Sequence, residues 1–181
     1  MPSFKHMIES NRDAWNASAD AHRHSATWQS LLAEAAHAQF SCLDPTLTAL
    51  LKQVDLRGKQ VLQLGCNNGR EALSLYALGA EHVVGVDQSA AFLQQAHELA
   101  ARSPHAVEFI EADIHQLPAS VTARFDVVLI TIGVLNWMPD LSAFFRHAAS
   151  TLKPGGTLAI YETHPFLEML EPESSDPWRI S

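Results

Sequence analysis

Two glycines and one carboxylate carry the chemistry that this sequence makes readable. The run Gln60-Val61-Leu62-Gln63-Leu64 is strand-like, breaks at Gly65, passes through Cys66-Asn67-Asn68 and restarts as a helix at Gly69. A buried strand, a tight loop and a helix start in succession form a ligand loop. Glycine has no Cβ, so Gly65 and Gly69 admit unusual backbone angles and allow close approach of a ligand to the main chain. The first N–H groups of the following helix lack partners and suit an electron-rich ligand group. A second apolar strand ends in Asp87, 22 positions beyond Gly65. In a doubly wound sheet, an acid at that tip stands beside the first loop and accepts hydrogen bonds from ribose hydroxyls. The two features together predict a nucleoside site. A dinucleotide is disfavoured, because the pyrophosphate fingerprint needs three glycines and the loop holds only Gly65 and Gly69.

The elements that position these residues follow from hydrophobic periodicity. Strands are expected at about 60–64, 82–86, 106–110, 125–131 and 157–162, and helices at about 69–79, 88–101 and 140–152. Alternating strands and helices imply right-handed crossovers and a parallel sheet covered on both faces. Ligands bind outside the carboxyl ends of such strands, where Gly65, Asp87, Asp113 and Thr131 all fall. Loop solvation or helix capping is the alternative role for Asp87 and Asp113. Ahead of the sheet, residues 8 to 24 read as a helix capped by Ser10 or Asn11. Ser25 to Phe40 is amphipathic, and Asp44-Pro45 opens a third helix. Residues 1–55 thus form a helical segment packing on a core of 56–181, a single domain overall.

Composition narrows the class. A net charge of -8 argues against a nucleic-acid groove, which needs a basic stripe to neutralise phosphates. Cys42 and Cys66 are the only cysteines, which gives no disulfide framework and suits a reducing cytoplasm. The first ten residues show no secretory signal, and the longest apolar run, Val127 to Leu135, is far short of the ~20 residues that span a bilayer. His22 and His24 form an H-x-H pair, but alternate positions fall on different faces of a helix and no third ligand is nearby, so no metal site is expected. The other histidines read as solvated surface.

The motifs resemble those of the class I S-adenosylmethionine-dependent methyltransferases. Residues 61–69 resemble the family's first motif, 84–89 its second, and Glu111-Ala112-Asp113-Ile114 its third, whose acid bonds the adenine amino group. Phe125 to Thr131 with Val134 to Asp140 resembles the fourth, and Leu152 to Leu158 the turn before the fifth strand. The five appear in order over roughly residues 10 to 165. The resemblance implies a Rossmann-like sheet of order 3-2-1-4-5, S-adenosylmethionine as cofactor and S-adenosylhomocysteine as product. The cofactor contacts it implies are Gln63, Gly65, Cys66, Asn67, Gly69, Asp87, Gln88, Asp113, Ile114 and Thr131. It adds Trp15 and His22 from a segment that folds over the cofactor; Trp15 could equally just dock the N-terminal helix.

Two departures stand out. Gln63 replaces an acid that helps hold the ammonium of the methionine moiety, and Asn67 replaces a third loop glycine. Asparagine tolerates the left-handed backbone best among non-glycine residues, so the turn is expected to survive. The family usually adds two antiparallel strands after strand 5; here only residues 163–181 follow. Strand 5 is then an edge strand, expected to be covered by the C-terminal tail or by a second copy in a homodimer. Alternatively, the chain is a shortened version of a longer enzyme. The acceptor is expected to be a small molecule, with His164 and Asn136 as catalytic candidates near the methyl. His164 could instead be a helix cap. A cofactor-binding protein without turnover and a nicotinamide dehydrogenase are the competing functions.

Overall fold

The computed structural model describes residues 3–171, 175–176 and 178–180. Five strands, β1 (Gln60–Leu64), β2 (His82–Asp87), β3 (Val107–Glu111), β4 (Phe125–Thr131) and β5 (Leu152–Tyr161), make one sheet of order β3-β2-β1-β4-β5. Every pairing is parallel. The expected Rossmann-like order is therefore the order found.

Side-chain alternation divides the core in two. Val61, Val83, Val127 and Leu129 point to one face, where Leu47 and Leu51 of α3 (Pro45–Val54) and Ala72 of α4 (Arg70–Ser74) cover them. Leu62, Leu64, Val84, Val86, Val128 and Ile130 point to the other, against Phe144 and Ala148 of α6 (Leu141–Thr151). Burial on both faces explains why β1, β2 and β4 read as nearly continuous apolar runs.

α5 (Ala90–Ala100) follows β2 and packs its Leu93 and Ala96 with Cys66. α2 (Ala26–Glu34) buries Trp28 and Leu31 with Leu73 and Leu99. The first helix, α1 (Phe4–Arg23), begins earlier than its polarity suggests. Ser3 caps it by accepting from His6 N, and Ser10 and Asn11, the expected caps, lie inside it. Asn11 instead donates its side-chain amide to Trp137 O at 2.8 Å. Asn16 docks the helix: its Oδ1 accepts from Ser89 Oγ at 2.7 Å and from Ala91 N at 3.2 Å.

Two boundaries differ from expectation. The helix after β1 is α-helical only to Ser74 and tightens to a 3-10 turn over Leu75–Leu78, closed by Gly79 at φ +90°. β5 starts at Leu152, because Leu152 pairs with Phe125 and the register then shifts before Val127 meets Thr157. The Lys153-Pro154-Gly155-Gly156 turn is thus an irregularity within the strand.

After β5, residues Pro165–Met169 form a 3-10 turn and Leu170 bridges Ile180 antiparallel. The described tail pairs with itself and not with β5, so it does not supply the expected cover. Ile160 of β5 is 38% exposed and Trp178 71%. No described helix is long and apolar enough to cross a membrane.

Candidate cofactor site

A cleft opens at the carboxyl ends of β1, β2 and β3, between these tips and α1. Gly65, Asn67, Asp87, Gln88, Asp113, Ile114 and Trp15 line it, so seven of the expected contacts meet in one place. They meet because three adjacent parallel strands end there and each is followed by a loop at the same edge.

The first loop is held by β2. Gly65 N and Cys66 N both donate to Val86 O, at 2.8 and 3.0 Å. Asn67 takes the left-handed conformation at φ +50°, as its residue type allows. Its N–H donates to Asp87 Oδ2 at 2.8 Å, and Ser89 N donates to Oδ1 at 2.9 Å. Asp87 thus braces the loop and still offers each oxygen a second lone pair to a ligand hydroxyl. Burial pushes its carboxyl above the usual range, and the Ser89 and Asn67 N–H groups oppose that rise.

Other expected contacts take different parts. Cys66 is fully buried, its thiol beside Gly85 and in contact with Leu93, Ala96 and Phe109, and burial raises its pKa well above the ordinary value. A Cβ at Gly69 would sit 2.7 Å from Phe109 and 3.0 Å from Ala96, so this glycine serves helix packing and not ligand approach. Thr131 is buried and accepts from Gln63 Nε2 at 2.8 Å. Gln63 is 1% exposed, and its Oε1 has no hydrogen-bond partner among the described residues.

Besides Gln63, Cys66, Gly69 and Thr131, three more predicted residues lie outside the cleft lining. His22 stands seven residues beyond Trp15, roughly 10 Å along the helix axis, and is exposed with its ring 5.2 Å from Phe92. Asn136 is exposed on the 3-10 turn Leu135–Trp137. His164 is exposed and caps the turn after β5, its Nδ1 accepting from Phe166 N at 3.2 Å. The capping alternative describes His164, and the arrangement brings neither His164 nor Asn136 to the cleft.

Sequence reasoning missed several residues. His115 is no solvated surface histidine: its side chain is 11% exposed and lines the cleft beside Asp113. An Asp two residues earlier at a turn start was the signal, since such an Asp bonds the backbone two positions on. Glu162 accepts from Leu135 N at 3.0 Å and from Gly133 N, fixing the loop after β4. That loop sets Val134 on Gly65, where an added Cβ would meet Cγ2 of Val134 at 2.6 Å. Trp137 closes the far wall, 5.1 Å from Trp15 with an interplanar angle of 63°. Among the described residues no three His, Cys, Asp or Glu side chains are placed to hold a metal ion.

A Rossmann-like sheet with a glycine loop, an acid at the tip of β2 and a further acid beyond β3 has the layout of a nucleoside-binding α/β protein. The comparisons narrow that class. A family model described as a methyltransferase domain matches residues 61–156, more than half of the chain. The chain belongs to the class I S-adenosylmethionine-dependent methyltransferases. It is 37% identical over 101 residues to a ubiquinone biosynthesis O-methyltransferase of Albidiferax ferrireducens, covering 55% of this chain and 39% of that one. It is 30% identical over 109 residues to a tRNA U34 carboxymethyltransferase of Saccharophagus degradans, covering 58% and 32%. Among solved structures it is similar to an S-adenosylmethionine-dependent methyltransferase from Mesorhizobium loti, with TM-score 0.59, 27% identity and coverage of 70% and 56%. The PH0226 protein of Pyrococcus horikoshii OT3 matches with TM-score 0.59, 26% identity and coverage of 75% and 69%. The chain spans less than half the length of either curated relative.

The family's cofactor is S-adenosylmethionine, and the residues present fit it. Gln63 Oε1 is a buried acceptor without a donor, as a site for an ammonium group requires. Asp87 keeps lone pairs for the ribose, and Gly65 leaves the loop bare of a side chain.

Proposed function

We propose that the protein transfers a methyl group from S-adenosylmethionine to a small, largely apolar acceptor. The observation that carries this reading is the convergence of Gly65, Asp87 and Asp113 from three neighbouring strand tips into one cleft roofed by Trp15 and Trp137. When bound, the cofactor supplies a methyl group already activated by its sulfonium.

The chain's own residues then orient and exclude water. Asp87 accepts from ribose hydroxyls, Gln63 Oε1 from the ammonium, and Asp113 from the base. Ile8, Trp15, Ile132, Trp137 and Met138 supply an apolar wall for the acceptor. Catalysis rests on positioning in a desolvated cleft, which by itself lowers a barrier by as much as about 7–11 kcal/mol. The lining contains no Lys or Arg, which favours a small molecule over a nucleic acid. The likeness to an O-methyltransferase makes hydroxyl-bearing acceptors the first class to test.

Calorimetric titration with S-adenosylhomocysteine and with NAD, followed by a labelled-methyl screen of small hydroxyl acceptors, tests the reading. Binding of NAD and not of the homocysteine product would sink it. A second reading, cofactor binding without turnover, draws on Gln63 in place of an acid and on Val134 seated against Gly65. Tight product binding with an empty methyl-transfer screen would favour it. The outer edge of β5, left unpaired by the described residues, further supports pairing with a second copy.

A further inference from the structure

At the β3 end of the cleft, Asp113 is paired with His115, a side chain that nothing in the proposed chemistry has used. His115 N donates to Asp113 Oδ1 at 2.9 Å, and His115 Nδ1 lies 3.1 Å from the same oxygen. On the other side of the ring, Nε2 lies 3.4 Å from the backbone oxygen of Asp140, the residue that caps α6. A neutral imidazole carries one N–H, and the nearer oxygen, on the carboxylate side, assigns it to Nδ1 as donor to Asp113. Both side chains are largely enclosed, at 11% and 21% exposure.

A free carboxylate rotates and presents either oxygen. Here one residue fixes Oδ1 with two donors, which fixes the carboxylate plane and leaves Oδ2 with no hydrogen bond among the described residues. An ionised carboxylate is an acceptor only. It rewards a hydrogen-bond donor on the ligand and penalises a carbonyl set against it. Asp113 lies one strand outward from Asp87 in the order β3-β2-β1. A nucleoside whose ribose is held at Asp87 and whose tail points to Gly65 therefore runs its base toward Asp113.

We propose that His115 is a positioning residue that makes the cleft selective for an exocyclic amino group on the nucleobase, acting by locking Asp113 with Oδ2 outward. This rests on the cofactor reading above. A side chain at position 115 without a donor leaves Oδ1 held by the backbone N–H alone and loosens the carboxylate, so the base selectivity falls while ribose recognition remains.

The test is calorimetric titration with S-adenosylhomocysteine and with its 6-oxo counterpart S-inosylhomocysteine. The wild-type chain is expected to prefer the amino form by about tenfold or more, the worth of one hydrogen bond to a charged group. His115→Ala is expected to reduce that preference to within about threefold. His115→Asn, whose amide nitrogen can still donate to Oδ1, should restore it. Asp113→Asn, which can present a donor, should move the preference toward the oxo form. If His115→Ala does not fold, His115→Phe fills the same space without a donor and makes the same comparison. An unchanged amino-to-oxo ratio in the donor-free variant overturns the proposal, as does an equal loss for both ligands that His115→Asn leaves uncorrected. A wild-type chain that binds neither ligand refutes the cofactor reading itself, a distinct result.

Discussion

Asp87 braces Asn67 and Ser89, and in the proposed function it also receives the ribose. Asp87→Ala is expected to weaken S-adenosylhomocysteine binding by about 1.5–3 kcal/mol, the range for hydrogen bonds to a charged group. Unchanged affinity in a titration would rule out the ribose assignment. Its pH dependence has a definite sign. Burial raises the carboxyl above its ordinary value, and ligand hydroxyls that donate to the charged form lower it again on binding. Binding therefore releases a proton, and affinity falls as pH drops through the raised value of the free protein. Titrations at stepwise lower pH should show that loss setting in above the ordinary carboxylate range. Gln63 supplies a contrasting case, because its Oε1 is buried without a donor. Gln63→Glu should tighten S-adenosylhomocysteine about fivefold through a charge-assisted bond to its ammonium. It should leave 5′-methylthioadenosine, which lacks that ammonium, unchanged.

At the scale of elements, α1 and the loop after β4 decide how closed the cleft is. α1 reaches the cleft through Asn11 and Trp15, but it is moored farther along, at Asn16. Asn16→Ala removes two hydrogen bonds to the start of α5, worth about 1 kcal/mol each. Amide exchange over residues 4–23 is expected to speed up, and the Michaelis constant for cofactor to rise, with little change in global unfolding. Exchange unchanged in α1 would show that the aromatic contacts of Trp15 alone hold it. The loop after β4 is tethered from the opposite side by Glu162 on Gly133 and Leu135. These long-range ties explain why Val134 meets Gly65, which neither residue type announces.

For the molecule as a whole, the outer edge of β5 is the open question that solution behaviour answers. Ile160 aligns with Ile130, yet Ile130 is fully buried while Ile160 is 38% exposed. Pairing of two copies along this edge predicts a concentration-dependent dimer by light scattering, abolished by Ile160→Lys. A clean monomer at micromolar concentration excludes it. How much of this could be read beforehand depends on the range of the forces involved. Nearly continuous apolar runs marked β1, β2 and β4, and a glycine break followed by a strand-tip acid announced the nucleoside loop. These are local patterns written by backbone geometry. Local chemistry also favoured a left-handed Asn67 and a capping His164. Which glycine faces a ligand was not local: Gly65 lines the cleft, whereas Phe109 and Ala96 occupy the space beside Gly69. The turning of Cys66 into the core, the pairing of Gln63 with Thr131 and the contact of His115 with Asp140 likewise join residues far apart in the chain or on different elements. Residue types and spacing determined the fold and the kind of ligand; only packing decided which side chains reach it, because a side chain's direction depends on neighbours the chain order does not name.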